Sequence, residues 1–137
     1  HEWTATTDPG KKSMLEWKKM GVTGGCARIV EGQYKGSHTI GLHQGKYEAL
    51  KQQKPVKVYR DSDIDLEYDE DKITEGIYGI NIHKAGQDST WVNDWSAGCT
   101  VFKRVKDFDE FMKIVRKARK IHGNSFTYTV INSNDIK

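Results

Sequence analysis

The chain has 137 residues, 22 basic against 19 acidic, a formal net charge of +3 and two cysteines. That is one domain of ordinary size, 1–137, able to bury a single core without a metal or a disulfide. No apolar run approaches the roughly 18 residues that span a bilayer, and no basic-plus-apolar signal segment opens the chain, so it reads as soluble, with no membrane partner. The near-balance of charge gives nucleic acid no general attraction, and nucleic acid is not an expected partner. The start at His1 without an initiator Met reads as a processed product or one piece of a longer polypeptide.

In chain order, a short helix is expected over 11–20, then strands over 26–30 and 38–42. A second short helix is expected over 46–52, followed by strands over 56–59, 76–83, 99–102 and 126–131. Pro9 and Pro55 punctuate positions where no regular element has begun. Late in the chain Phe108, Phe111, Met112, Val115 and Ala118 make a helical stripe. Asp107 with Glu110 three residues on predicts the N-terminus, and Gly123 the end. Lys103, Arg104, Lys106, Lys113, Arg116, Lys117, Arg119 and Lys120 give that helix a basic face, expected to be solvated while the other side braces a sheet. The fold class is therefore mostly β, a β-rich α+β architecture with one substantial C-terminal helix.

The chemistry concentrates in two runs. Gly76-Ile77-Tyr78-Gly79-Ile80-Asn81-Ile82 alternates as a strand that ends on His83, and Cys99 follows sixteen residues after that histidine in Ser96-Ala97-Gly98-Cys99. A thiol near its ordinary pKa of about 8.5 is mostly protonated at neutral pH, so a nucleophilic cysteine needs an imidazole or a helix N-terminus beside it. His83 is the candidate base and Cys99 the candidate nucleophile for acyl transfer. The amides of Gly98 and Cys99 are candidate oxyanion donors. Cys26, in Gly24-Gly25-Cys26-Ala27, lacks such company and is expected to pack at a strand start. A nucleophilic Cys99 must be reduced, so no disulfide is expected.

These runs resemble the YkuD-like L,D-transpeptidase catalytic domain family, whose mark is a histidine, a loop, then Ser/Thr-His-Gly-Cys. Ser96, Gly98 and Cys99 fall on that motif and His83 on its upstream histidine. Ala97 stands where the motif has its histidine, Val101 where Arg or Asn follows the cysteine, and the intervening loop is short. The chain is more similar still to a divergent phage and Bacteroidetes subgroup with GINIH, WSAGC, an RDxDxD stretch and a terminal FTYT strand, from Thr7 to Thr129. The resemblance implies a YkuD-like sheet and a cysteine enzyme directed at peptidoglycan stem peptides. It also implies that the backbone carbonyl of Lys84 orients the His83 ring, and it makes Tyr78, Trp91 and Trp95 candidate pocket walls. The expected activity is stem-peptide hydrolysis, as carboxypeptidase or endopeptidase, through a Cys99 thioester. Cross-linking transpeptidation, or a non-catalytic wall-binding module that keeps the fold, are the alternatives. Its place would be extracytoplasmic, in a phage virion or a released lysin, with other virion proteins as further partners.

Two metal readings remain. Asp61, Asp63 and Asp65, with Glu67 and Asp69 nearby, alternate like the opening of a calcium loop. Leu66 replaces its sixth-position Gly, and Lys72 stands at the twelfth position where a bidentate Glu belongs. Calcium is thus a possible ligand there, and no cofactor is required for the chemistry. His38 and His43, five apart on a strand, face opposite sides, which fits no zinc clip with His83 and Cys99.

Overall fold

The computed structural model describes residues 1–7, 27–60, 69–85 and 98–136. The expected helix over 11–20, Cys26, Ser96, Trp91, Trp95 and the acidic residues Asp61, Asp63 and Asp65 lie outside them.

Nine strands and one long helix are described: β1 (Ala5–Thr6), β2 (Ala27–Ile29), β3 (Gly32–His43), β4 (Tyr47–Gln52), β5 (Val56–Arg60), β6 (Asp69–Gly76), β7 (Ile82–Lys84), β8 (Thr100–Phe102), α1 (Val105–His122) and β9 (Phe126–Val130). The fold is β-rich α+β. Six strands form one sheet in the order β1-β8-β7-β4-β3-β9, and β2-β5-β6 form another. Every pairing is antiparallel except β7 with β8, which run parallel with Ile82 opposite Thr100 and His83 opposite Val101.

The larger sheet buries one face against α1. Ile40, Leu50, Ile82 and Phe102 meet Phe108, Met112 and Val115 in a single cluster, with Phe111 packed at its border. This is the predicted helical stripe, and each such side chain removed from water contributes about 1.5–3 kcal/mol. Glu48 on β4 accepts from Arg116 Nε at 2.7 Å and pins the helix to the sheet. The helix starts two residues before the expected Asp107, behind Arg104, which makes no side-chain cap; Asp107 sits in the first turn, where a carboxylate suits the positive end of the dipole. Gly123 ends it as predicted, at φ 90°, with its N–H on the Arg119 carbonyl. No helix among the described residues is long and apolar enough to cross a membrane.

Two expectations need correction. The segment 46–52 is the strand β4 and not a helix. Glu48, Ala49, Leu50, Lys51 and Gln52 are good helix formers, but Gln44 and Gly45 take left-handed backbone angles (φ 52° and 70°) that fold β4 back along β3. Pairing on both edges then overrides local propensity. Nor is 76–83 one strand. Pairing with β5 ends at Gly76, Gly79 turns at φ 69°, and the chain re-enters a sheet only at Ile82. The alternation read along this run is real, but it serves two sheets: Ile80 fills the second core with Ala27, Ile29, Val56 and Val58, while Ile82 fills the first. His83 therefore lies inside β7 and not at the end of a long strand.

Candidate active site

Between the two sheets the segment 77–80 has no strand pairing among the described residues, and Gln52 supplies partners. Its Oε1 accepts from the N–H groups of Tyr78 (3.2 Å) and Ile80 (2.9 Å), and its Nε2 donates to the carbonyls of Lys54 and Gly76 (both 2.9 Å). A buried amide thus satisfies four backbone groups that a strand would otherwise pair. The immediate result is that the Gly79 carbonyl has a fixed place.

That carbonyl accepts from the Asn81 N–H at 2.9 Å and from the Cys99 thiol at 3.2 Å, and the same N–H lies 3.4 Å from the sulfur. Cys99 carries a reduced thiol and is partly accessible. The Asn81 carbonyl in turn accepts from Thr100 N–H at 2.9 Å, the bond that opens the β7–β8 ladder where Ile82 faces Thr100. Just before the cysteine, Gly98 is buried at φ 144° with its Cα pressed on β2: a Cβ there would lie 2.7 Å from the Ala27 carbonyl oxygen. Only glycine fits this approach.

Side-chain alternation decides which face each group takes. Ile82 and Phe102 belong to the α1-side core, so Asn81, His83, Cys99 and Val101 share the opposite face. Cys99 and His83 are diagonal neighbours on adjacent parallel strands, about 8 Å apart at Cα from strand spacing and rise. His83 Nε2 makes no hydrogen bond to the sulfur among the described residues.

His83 is 2% exposed. Its Nδ1 lies 2.8 Å from the Lys84 carbonyl, which can only accept, so Nδ1 carries the proton and Nε2 keeps a lone pair. Buried Nε2 has no hydrogen-bond partner among the described residues. Burial lowers the His83 pKa from its ordinary value, and the Lys84 carbonyl opposes this. The imidazole therefore rests neutral at pH 7, with an unused acceptor inside the protein.

A second imidazole covers it. His43 of β3 stacks on His83 with ring centroids 4.1 Å apart and planes 17° from parallel. Between them on β4 stands Ala49, fully buried and opposite Gly41, so small residues leave the room that two rings occupy. Asn81 Nδ2 meets His43 Nδ1 at 3.1 Å. Tyr47 tilts against His43 at 5.6 Å and directs its hydroxyl to the Lys84 carbonyl at 3.4 Å. Burial raises the Tyr47 pKa, and the nearby Cys99 charge raises it further.

Of the predicted site residues, Cys99, His83, Lys84 and Gly98 come together here. Tyr78 packs on the second core, with its ring against Gly76. Asn81, Gln52 and Tyr47 are the members that sequence reasoning passed over, and His43, which enters there only against a zinc clip, joins them. A polar amide between apolar strand neighbours, Ile80-Asn81-Ile82, is a signal for Asn81; Gln52, Tyr47 and His43 have no such flanks. His38 does face away from His43: it is fully buried, with Nδ1 on Ser37 Oγ and Nε2 on the Ile80 carbonyl, both at 2.7 Å. A cavity of about 330 Å³ opens on that α1 side, lined by Trp3, Leu50, Phe102, Phe111 and Tyr128. Thr100 and Tyr128 there satisfy each other at 2.6 Å, and His38, which also lines it, is bonded at both ring nitrogens.

Compared with protein-family models, curated proteins and solved structures, the chain matches none.

Proposed function

We propose that the chain is a cysteine-dependent acyl-transfer enzyme that hydrolyses peptide bonds in peptidoglycan stem peptides. One observation carries the chemistry: the Lys84 carbonyl commits His83 Nδ1, leaving a buried lone pair at Nε2 on the sheet face that holds Cys99. The substrate class rests on the resemblance of the His83 and Ser96-Ala97-Gly98-Cys99 runs to the YkuD-like family.

At rest the thiol donates to Gly79 and the imidazole is neutral. His83 accordingly works as a general base during attack and not as half of a standing ion pair. Rotation of Cys99 to another staggered χ1 turns its S–H from Gly79 toward Nε2. As Nε2 takes the proton, sulfur bonds to the substrate carbonyl carbon. The amides of Gly98 and Cys99 serve the tetrahedral oxyanion. Collapse breaks the C–N bond, the leaving amine takes the proton from His83, and a thioester remains. Water then loses a proton to Nε2, attacks the thioester and releases the free acid and the thiol.

Hydrolysis is favoured over cross-linking because Ala97 and Val101 lack the polar side chains that the transpeptidase motif sets beside its cysteine. Wall opening outside the cytoplasm, from a phage virion or a released lysin, is the setting this activity suits. The chemistry needs no cofactor; calcium at Asp61, Asp63 and Asp65 would be structural. The test is mass spectrometry of stem-peptide products from purified sacculi, with Cys99→Ala as control. Free-acid products that depend on Cys99 are expected. New cross-links appearing faster than free acid would restore transpeptidation.

A second reading has its own observation: Cys99 Sγ makes its described contacts to Gly79 and Asn81, and His83 Nε2 is left without it. A wall-binding module would keep such an arrangement. It predicts sedimentation with sacculi and no products.

A further inference from the structure

The contact of His43 with His83 is unexplained by the acyl-transfer scheme, which uses one imidazole. Burying a second titratable ring against the base is costly unless both are neutral, and the structure enforces neutrality through hydrogen-bond direction. Asn81 Oδ1 accepts from the Gln52 backbone N–H at 3.0 Å, which orients the amide and turns its NH2 group toward His43 Nδ1. That group can only donate, so His43 Nδ1 must accept and its proton sits on Nε2. Protonating Nδ1 would set N–H against N–H.

Asn81 also touches Cys99 through its backbone N–H. One residue thus joins the nucleophile to the ring that lies on the base. Tyr47 tilts against His43, and its hydroxyl shares the Lys84 carbonyl with His83 Nδ1. Among the described residues His83 is therefore held by one hydrogen bond at Nδ1 and one stacked ring face. With Nε2 unbonded among the described residues, the stacked ring restrains His83 from swinging about its Cβ–Cγ bond.

We propose that His43 is a positioning residue for the cysteine site: a neutral plate, locked by Asn81, that fixes the plane of the His83 ring and so aims its Nε2 lone pair. This rests on the reading of His83 as base to Cys99. The titratable and charged groups around the pair are Tyr47, Lys46 and Lys51 from β4 and the turn before it, Lys84 from β7, and Cys99. The Lys84 ammonium lies 4.7 Å over the Tyr47 ring. Nearby cations and the neighbouring His83 add to burial in holding His43 down to about pH 4.

The experiment compares wild type with His43→Ala and His43→Phe. Two quantities are read: the rate of Cys99 acylation by p-nitrophenyl acetate at pH 7, followed by mass, and the His83 side-chain 15N signals, which report its tautomer. His43→Ala should slow acylation at least fivefold and move the His83 signals from a pure Nδ1–H pattern toward a mixture. His43→Phe, which keeps a flat ring, should stay within about twofold of wild type in rate and retain the tautomer. If His43→Ala does not fold, His43→Leu takes its place with the same expectation. Unchanged rate and tautomer in the ring-less variant, or equal losses in both variants, would overturn the proposal. Should His83→Ala leave acylation unchanged, the base assignment fails, while the tautomer comparison still decides the role of His43.

Discussion

His83 donates its Nδ1 proton to the carbonyl of Lys84, its own neighbour in the chain, at 2.8 Å. The bond is local, yet it fixes which nitrogen can act on Cys99. Because a carbonyl cannot donate, the alternative tautomer would lose this bond and bury a second unpaired group, at a cost of about 1–3 kcal/mol. The polarity of the site thus follows from the backbone.

Gln52 is expected to matter more than any other uncharged polar side chain near the site. Gln52→Ala strips partners from two N–H groups and two carbonyls around 76–80. A loss of about 3 kcal/mol or more is expected, since each buried group left unsatisfied costs about 1–3 kcal/mol and water re-enters at some of them. Gln53→Ala, an exposed neighbour with one bond to the Gly36 carbonyl, should cost under about 0.5 kcal/mol. Urea denaturation of both variants makes the comparison, and equal midpoints would show that Gln52 does not hold the segment.

Gly98→Ala and Gly45→Ala separate close approach from backbone angle. Both glycines have positive φ, but the added Cβ meets the Ala27 carbonyl oxygen at 2.7 Å in the first and nothing within 4 Å in the second. Gly45→Ala should cost roughly 1 kcal/mol, the conformational part alone. Gly98→Ala should lose at least twice as much and displace Cys99, seen as a drop in both melting temperature and Cys99 acylation.

Acid should weaken the fold well before carboxylates titrate. His38, His43 and His83 are buried with pKa values below the ordinary 6.5, His43 at about 4. Between those limits the unfolded chain binds protons that the folded one refuses, so stability falls as pH falls from about 6.5 toward 4 and is at its full value above 6.5. Glu31 and Glu48 also have lowered values and add their losses only in the carboxylate range below that. Denaturation midpoints at pH 7, 6 and 5 check this. His43→Phe should flatten the slope, and an unchanged slope would mean that His43 titrates normally.

Much of the fold is visible along the chain because its signals are local. Phe108, Met112 and Val115 recur at helical spacing and Gly123 ends that helix; the alternation of Phe126 to Val130 yields β9. β4 is misread because Ala49, Leu50 and Lys51 favour helix in isolation, and only β3 and β7 on either side make them a strand. The site divides the same way. Cys99 and His83 stand out by residue type and motif, whereas His43 lies 40 positions before His83 and reaches it across Ala49. Asn81 and Gln52 act through hydrogen bonds between strands that no periodicity encodes.

The most direct test of the central claim is the pH dependence of Cys99 acylation by p-nitrophenyl acetate in wild type and His83→Ala. A positioned base contributes about 10²–10⁴-fold to proton transfer, so the wild-type rate should hold a plateau through neutral pH that falls only below about 6.5. His83→Ala should lose the plateau, follow the thiol's own ionisation upward in pH, and run at least tenfold slower at pH 7. Superimposable profiles for the two proteins would contradict the assignment of His83 as the base for Cys99.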